Sequence, residues 1–142
     1  MKLSIVSGGF DPFHVGHLEL FQKAKAQSDS LFVIVNNDDF LKRKKKKAFM
    51  PLNERIAILQ ALKPVELALE AVDEDDTVCR TLEAISMNYS QKFDKIIFCN
   101  GGDRTKETEG DTSEHKLCLK LGIEPVYGLG NKIQSSSWLL KG

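Results

Sequence analysis

Two histidines lie three residues apart in Gly8-Gly9-Phe10-Asp11-Pro12-Phe13-His14-Val15-Gly16-His17. This stretch follows a β-branched run, Lys2 to Ser7, and precedes a helical pattern. Imidazoles beside the first amides of a helix make a site for an anion, because the amides and the helix dipole both favour negative charge there. Gly16 between the histidines leaves room for a phosphate or a sugar. A dinucleotide fingerprint would need a third glycine that this loop lacks at the required spacing. A helical zinc pair would place the histidines four apart with a glutamate between them, and that glutamate is absent. Scattered surface histidines are also a poor reading, since two of the chain's three fall in this one loop.

Three further groups could serve the same chemistry. Lys42, Arg43, Lys44, Lys45, Lys46 and Lys47 are consecutive cations, read as a solvated loop or as an anion patch. Asn100-Gly101-Gly102-Asp103-Arg104 follows a buried-type strand and, taken alone, is a tight turn. Ser135-Ser136-Ser137 opens a short C-terminal helix, where hydroxyls and free amides suit phosphate oxygens as well as a plain cap.

The elements that must position these groups alternate along the chain. Strands are expected at Lys2–Ser7, Leu31–Val35, Val65–Leu69, Lys95–Cys99 and Glu124–Tyr127. Helices are expected from about Val15 to Gln27, from Pro51 through Leu62, over Val78 to Tyr89, from about Thr112 to Leu121 and from Ser135. Asp76 is placed to cap the third of these, and Gly122 to close the fourth. The uninterrupted apolar strands suit burial on both faces. The alternation predicts an α/β, Rossmann-like doubly wound, mainly parallel five-stranded sheet with helices on both faces. Ligands of such sheets bind beyond the carboxyl ends of the strands, which is where all four groups fall.

Composition supports one ordinary domain over residues 1–142. Apolar residues make up 42% of the 142 and charged residues 28%, with a formal net charge of zero. A nucleic-acid binder usually carries a basic excess. No apolar run is long enough to span a bilayer, and the N-terminus runs into Gly8-Gly9 without a signal-peptide core. Cys79, Cys99 and Cys118 are widely spaced, and read as small buried hydrophobes in a reducing cytoplasm.

The first loop resembles the HxGH signature of the nucleotidylyltransferase superfamily, with Asp11, Pro12, His14, Gly16 and His17 in order after the strand and glycine break. The likeness implies that His14 and His17 hold the triphosphate and stabilise charge at the α-phosphate. It implies that Gly8, Gly9 and Phe10 line the nucleotide by backbone contact. Asp11 would sit near the nucleotide or its Mg2+, an ion held mainly by phosphates and water. Lys44 and Lys46 would contact the phosphates, and Arg55 the acceptor phosphate. Gly101, Gly102, Asp103 and Arg104 would recognise base and ribose. Ser135, Ser136 and Ser137 resemble the family's second signature, although its usual upstream arginine is missing; Lys132 is the residue left to supply that charge.

The implied reaction transfers a nucleoside monophosphate, with CMP favoured, from a nucleoside triphosphate to a phosphorylated metabolite such as glycerol 3-phosphate. The lysine cluster resembles glycerol-phosphate cytidylyltransferases. Val35-Asn36-Asn37-Asp38 with Lys42-Arg43 resembles heptose-phosphate adenylyltransferases. Readings of other classes are a non-catalytic nucleotide-binding module and a nucleic-acid binder using the lysine run. The likeness also suggests a homodimer, with no interface legible in one sequence.

Overall fold

The computed structural model describes residues 1–11, 13–45, 50–75, 77–101, 110 and 112–129. The elements in order are β1 (Lys2–Gly8), α1 (Val15–Ala26), β2 (Ser30–Val35), α2 (Asp38–Lys45), α3 (Leu52–Gln60), β3 (Leu67–Glu70), α4 (Cys79–Tyr89), β4 (Lys95–Gly101), α5 (Ser113–Leu121) and β5 (Glu124–Leu129). The five strands pair in the order β3-β2-β1-β4-β5, and every pairing is parallel. The chain steps outward from β1 through β2 to β3, then returns to the other side of β1 for β4. The direction of winding therefore reverses between β1 and β4, the switch point at which such sheets bind ligands.

The two faces of the sheet carry separate cores, because strand side chains alternate. Val6, Leu31, Val33, Val35, Ile97 and Cys99 point to the face that packs Phe21 and Ala24 of α1 and Leu59 of α3. Leu3, Ile5, Phe32, Ile34, Ile96 and Phe98 point to the opposite face, against Val78 just before α4, Leu82 and Ile85 of α4 and Cys118 of α5. Burial on both sides explains why β1, β2 and β4 read as apolar runs rather than as alternating ones. Ser4 is a polar exception with a local solution: its hydroxyl donates to the Ala24 carbonyl at 2.8 Å, fastening β1 to the end of α1.

Helix ends follow the expected chemistry with one correction. Thr112 caps α5 by accepting from the His115 amide at 3.2 Å, and Gly122 closes the helix at φ 77°, a left-handed angle suited to glycine. Asp76, expected to cap α4, lies outside the described residues. The carboxylate at the start of α4 is that of buried Asp73, which accepts from the Arg80 amide at 2.8 Å and the Thr81 amide at 3.1 Å. It also accepts from the Thr81 hydroxyl at 2.6 Å. Asp73→Ala is expected to lower stability by about 1–2 kcal/mol, the typical worth of an N-terminal cap. Urea denaturation checks this, and an unchanged midpoint would refute the cap.

A second correction concerns the cationic run. Lys42 to Lys45 lie in helix α2 rather than in a loop. Asp38 and Asp39 occupy the first turn of this helix and cations the last, which complements the helix dipole at both ends. Buried Leu41 anchors the helix.

Candidate functional site

The carboxyl ends of β1 and β2 are joined by backbone, with the Asn36 amide donating to the Gly8 carbonyl at 2.9 Å. The loop after β1 then turns sharply. Phe10 takes φ 52°, the one positive value outside glycine among the described residues. Its side chain folds back over Gly8, where a Cβ would come within 2.9 Å of the ring. A Cβ on Gly9 would come within 2.8 Å of Leu41 of α2. Both glycines thus serve close packing, and the Phe10 side chain is a buried support rather than a surface for ligand.

That support holds His17. The Phe10 ring meets the His17 ring edge-on, with centroids 5.0 Å apart, and meets Phe21 in the same way at 5.3 Å. Phe13 lies 5.6 Å from His17 and 5.7 Å from Phe21. The His14 and His17 rings stack, with centroids 3.8 Å apart and planes at 22°. His14 is the N-cap of α1 and His17 sits in its first turn.

The two histidines cap the helix reciprocally. His14 Nδ1 accepts from the Gly16 amide at 3.1 Å, and His17 Nδ1 accepts from the His14 amide at 3.2 Å. An imidazole nitrogen that accepts from a backbone N–H carries no proton, so each ring in its neutral form holds its proton on Nε2. His14 Nε2 is buried and has no hydrogen-bond partner. Burial also pushes the His14 pKa below its ordinary value. The positive end of α1 acts in the same direction, disfavouring a second cation. The His14 ring therefore presents a neutral N–H donor at the start of α1.

This gives a pH signature. The folded pKa of His14 lies below the unfolded value of 6.5, so the unfolded chain takes up the proton first. The stabilisation is complete above pH 6.5 and is lost as pH falls through the lower folded value. The melting temperature of the wild type should fall more steeply than that of His14→Asn below about pH 6.5. Parallel curves would contradict the neutral assignment.

Asp11 and Arg55 both bond Met50, and Arg55 is placed differently from what the resemblance implies. Asp11 is fully buried, and its Oδ1 accepts from the Met50 amide at 2.5 Å. Arg55 is 1% exposed. Its guanidinium donates to the carbonyls of Met50 at 2.9 Å, Gly9 at 2.9 Å and Asn36 at 2.6 Å, and to the Asp38 carboxylate at 2.6 Å. Four of its five N–H groups are thereby used inside the protein. Arg55 is a tie between loops, in place of the expected contact with an acceptor phosphate.

The other residues named from sequence divide in two. Gly101 ends β4, half-buried at the switch point, and Gly16 lies in the first turn of α1. Lys44 falls in the last turn of α2. Lys46, Gly102, Asp103, Arg104, Lys132, Ser135, Ser136 and Ser137 lie outside the described residues. The residues missed were Asn36, Asp38 and Met50. Asn36 Oδ1 is buried without a partner, so it and His14 Nε2 form the pair of such side-chain atoms among the described residues. Both belong to the edge where β1 and β2 end.

No group of three or more histidine, cysteine or carboxylate side chains is gathered for a metal among the described residues. Mg2+ held mainly by a ligand's phosphates and by water would need no such cage. Cys99 and Cys118 are buried, and burial pushes their pKa values up to about 11 and about 12, so they behave as hydrophobes. Cys79, at the start of α4, is only partly buried. No helix of the described residues is long and apolar enough to cross a membrane.

The parallel sheet, its switch point and a helix N-terminus capped by imidazoles define an α/β protein of the doubly wound, Rossmann-like class. Comparison with known proteins narrows the class. The profile of the cytidylyltransferase-like family matches residues 5–126, so the chain belongs to that family, within the nucleotidyltransferase superfamily. It is 35% identical over 100 residues to an FAD synthase of Ferroglobus placidus, covering 67% of this chain and 64% of that protein. It is 30% identical over 141 residues to an FAD synthase of Thermoplasma volcanium, covering 96% and 90%. It is also 30% identical over 107 residues to a glycerol-3-phosphate cytidylyltransferase of Staphylococcus aureus, covering 72% and 71%. The match thus spans slightly less than two thirds of the Ferroglobus protein. Among solved structures, a lipopolysaccharide core biosynthesis protein of Thermoplasma volcanium shares the fold, with a TM-score of 0.69 at 24% identity, covering 92% of this chain and 98% of that one.

Proposed function

We propose that the chain transfers a nucleoside monophosphate unit from a nucleoside triphosphate to a phosphorylated acceptor. The observation that carries this reading is the stacked His14–His17 pair, with both Nδ1 atoms committed to backbone amides and an unpartnered Nε2 on His14. An unpaired buried donor costs stability unless something accepts from it. Phosphate oxygens at the positive end of a helix are suitable acceptors.

In the proposed step an oxygen of the acceptor phosphate attacks the α-phosphorus. A new P–O bond forms, the bond from the α-phosphorus to the bridging β-phosphate oxygen breaks, and pyrophosphate leaves with that electron pair. No protein nucleophile is required. The Nε2–H groups of His14 and His17 hold the triphosphate and donate to the oxygens on which charge grows. Lys44 and Lys46 are proposed to supply further positive charge, and the loop after β4, with Ser135 to Ser137, to engage the rest of the nucleotide. Mg2+ bound to the phosphates would neutralise part of their charge.

The acceptor favoured by the relatives is a flavin phosphate. FAD consists of FMN joined to AMP through a pyrophosphate link, and the FAD synthase relative that aligns with 96% of the chain supports ATP and FMN as substrates. The Staphylococcus aureus relative supports a second reading, CMP transfer from CTP to glycerol 3-phosphate. Chromatography of products from each triphosphate with each acceptor separates them. FAD formed together with pyrophosphate supports the first reading, and CDP-glycerol the second. A folded protein that binds a triphosphate yet yields neither product, across these and a wider panel of phosphorylated acceptors, would favour a non-catalytic module.

A further inference from the structure

We propose that Arg55 is a positioning residue: it holds the start of the lysine-bearing helix α2 and the approach to α3 against the histidine loop, and does so through Asp38 and Met50. This inference rests on the nucleotidylyl-transfer reading for the role of the lysines, but the clamp itself stands on geometry. Asp38 opens α2, and Met50 lies just before α3. The run Lys42 to Lys47 falls between them. Arg55 Nη2 donates to the Asp38 carboxylate at 2.6 Å, and Arg55 Nε donates to the Met50 carbonyl at 2.9 Å. One side chain thereby holds both Asp38 and Met50.

The same guanidinium reaches the histidine loop. Nη1 donates to the Gly9 carbonyl at 2.9 Å and to the Asn36 carbonyl at 2.6 Å. Asp11 completes the tie by accepting from the Met50 amide, so Met50 is gripped by its N–H and by its carbonyl. Leu41 of α2 adds an apolar contact, since it packs where a Gly9 side chain would project. The ends of β1 and β2, the start of α2 and the approach to α3 are therefore fixed relative to one another by one cation.

Stability alone is a weak reason for this arrangement. A buried ion pair loses hydration that its attraction only partly restores. Arg55 is fully enclosed while Asp38 is 39% exposed. What the planar fork provides is direction, with several acceptors met at fixed angles, and a lysine ammonium cannot reproduce that geometry. An acceptor-phosphate contact would need guanidinium surface, and here that surface is covered.

Arg55→Ala would leave three carbonyls unpaired and is a poor test, because it threatens the fold. The test is a double-mutant cycle between Asp38→Asn and the pair Lys44→Ala/Lys46→Ala. Its readout is the dissociation constant of Mg-ATP or Mg-CTP, whichever binds the wild type. In the wild-type background the lysine pair is expected to cost about tenfold in affinity; in the Asp38→Asn background it should cost no more than about twofold. Asp38→Glu should restore part of the difference by returning the charge. Equal losses in both backgrounds would overturn the proposal, because a merely structural Arg55 predicts additivity. If neither nucleotide binds the folded wild type, the functional reading fails, and the clamp is tested by trypsin. Cleavage within residues 42–47 should then be faster in Asp38→Asn than in the wild type, well below the melting temperature of both. Equal cleavage rates would overturn the clamp.

Discussion

Replacing His17 by asparagine is expected to lower nucleotidylyl transfer by about 100- to 1,000-fold, the usual cost of one donor to a transition-state oxygen, with little loss of stability. The choice of asparagine follows from the two tasks of the ring. Its Nδ1 accepts from the His14 amide and so helps to cap α1. An asparagine oxygen can occupy that place, since asparagine is itself a good capping residue. It cannot reach as far as Nε2, so the donor to the ligand is removed while the helix start is kept. His17→Ala removes both, and should add a cap loss of about 1 kcal/mol to the same kinetic defect. Steady-state turnover beside a melting curve checks this. A variant with full activity would remove His17 from the reaction. A variant that unfolds would make the residue structural.

Phe10→Ala should be the most damaging core substitution near the site, costing about 3–5 kcal/mol. The side chain is 4% exposed and touches Gly8, His17 and Phe21. Truncation would leave a cavity between the end of β1 and α1, and alanine would keep the unfavourable positive φ. Turnover should fall as well, measured at temperatures where the variant stays folded, because the His17 ring loses its edge-on neighbour. Urea denaturation measures the first effect. A cost below about 1 kcal/mol would mean that Phe10 does not support the histidine in the manner described.

The regularities that sequence exposes here are those with a period. Apolar runs gave away the buried strands, Gly122 and Thr112 marked the ends of α5, and the two histidines stood out against a glycine loop. The edge strand Leu67–Glu70 was also foreseen, with its bounds shifted by about two residues. Helix α2 was hidden because a row of cations carries no apolar stripe to betray it. The true role of Arg55 did leave a trace. It stands three residues after Leu52 and four before Leu59, on the stripe that faces the core, and an arginine in that position must find acceptors inside. Asp11 was read by its place in the signature, which concealed that its carboxylate ties down Met50. The fold of Phe10 over Gly8 depends on a positive φ at a non-glycine residue, an angle that side-chain preference argues against. Such features arise from long-range contacts, so local pattern alone cannot deliver them.

The most direct test of the central claim is the melting temperature of the purified protein with Mg2+ and ATP or CTP, measured beside a His14→Asn/His17→Asn double variant. A ligand that binds only the folded state adds about 2.7 kcal/mol at one hundred times its dissociation constant. The site described here predicts a clear upward shift for the wild type with at least one triphosphate, and its loss in a double variant that still melts cooperatively. An equal shift in both proteins, or no shift in a folded wild type with either nucleotide, would contradict the assignment of the stacked histidines to a triphosphate.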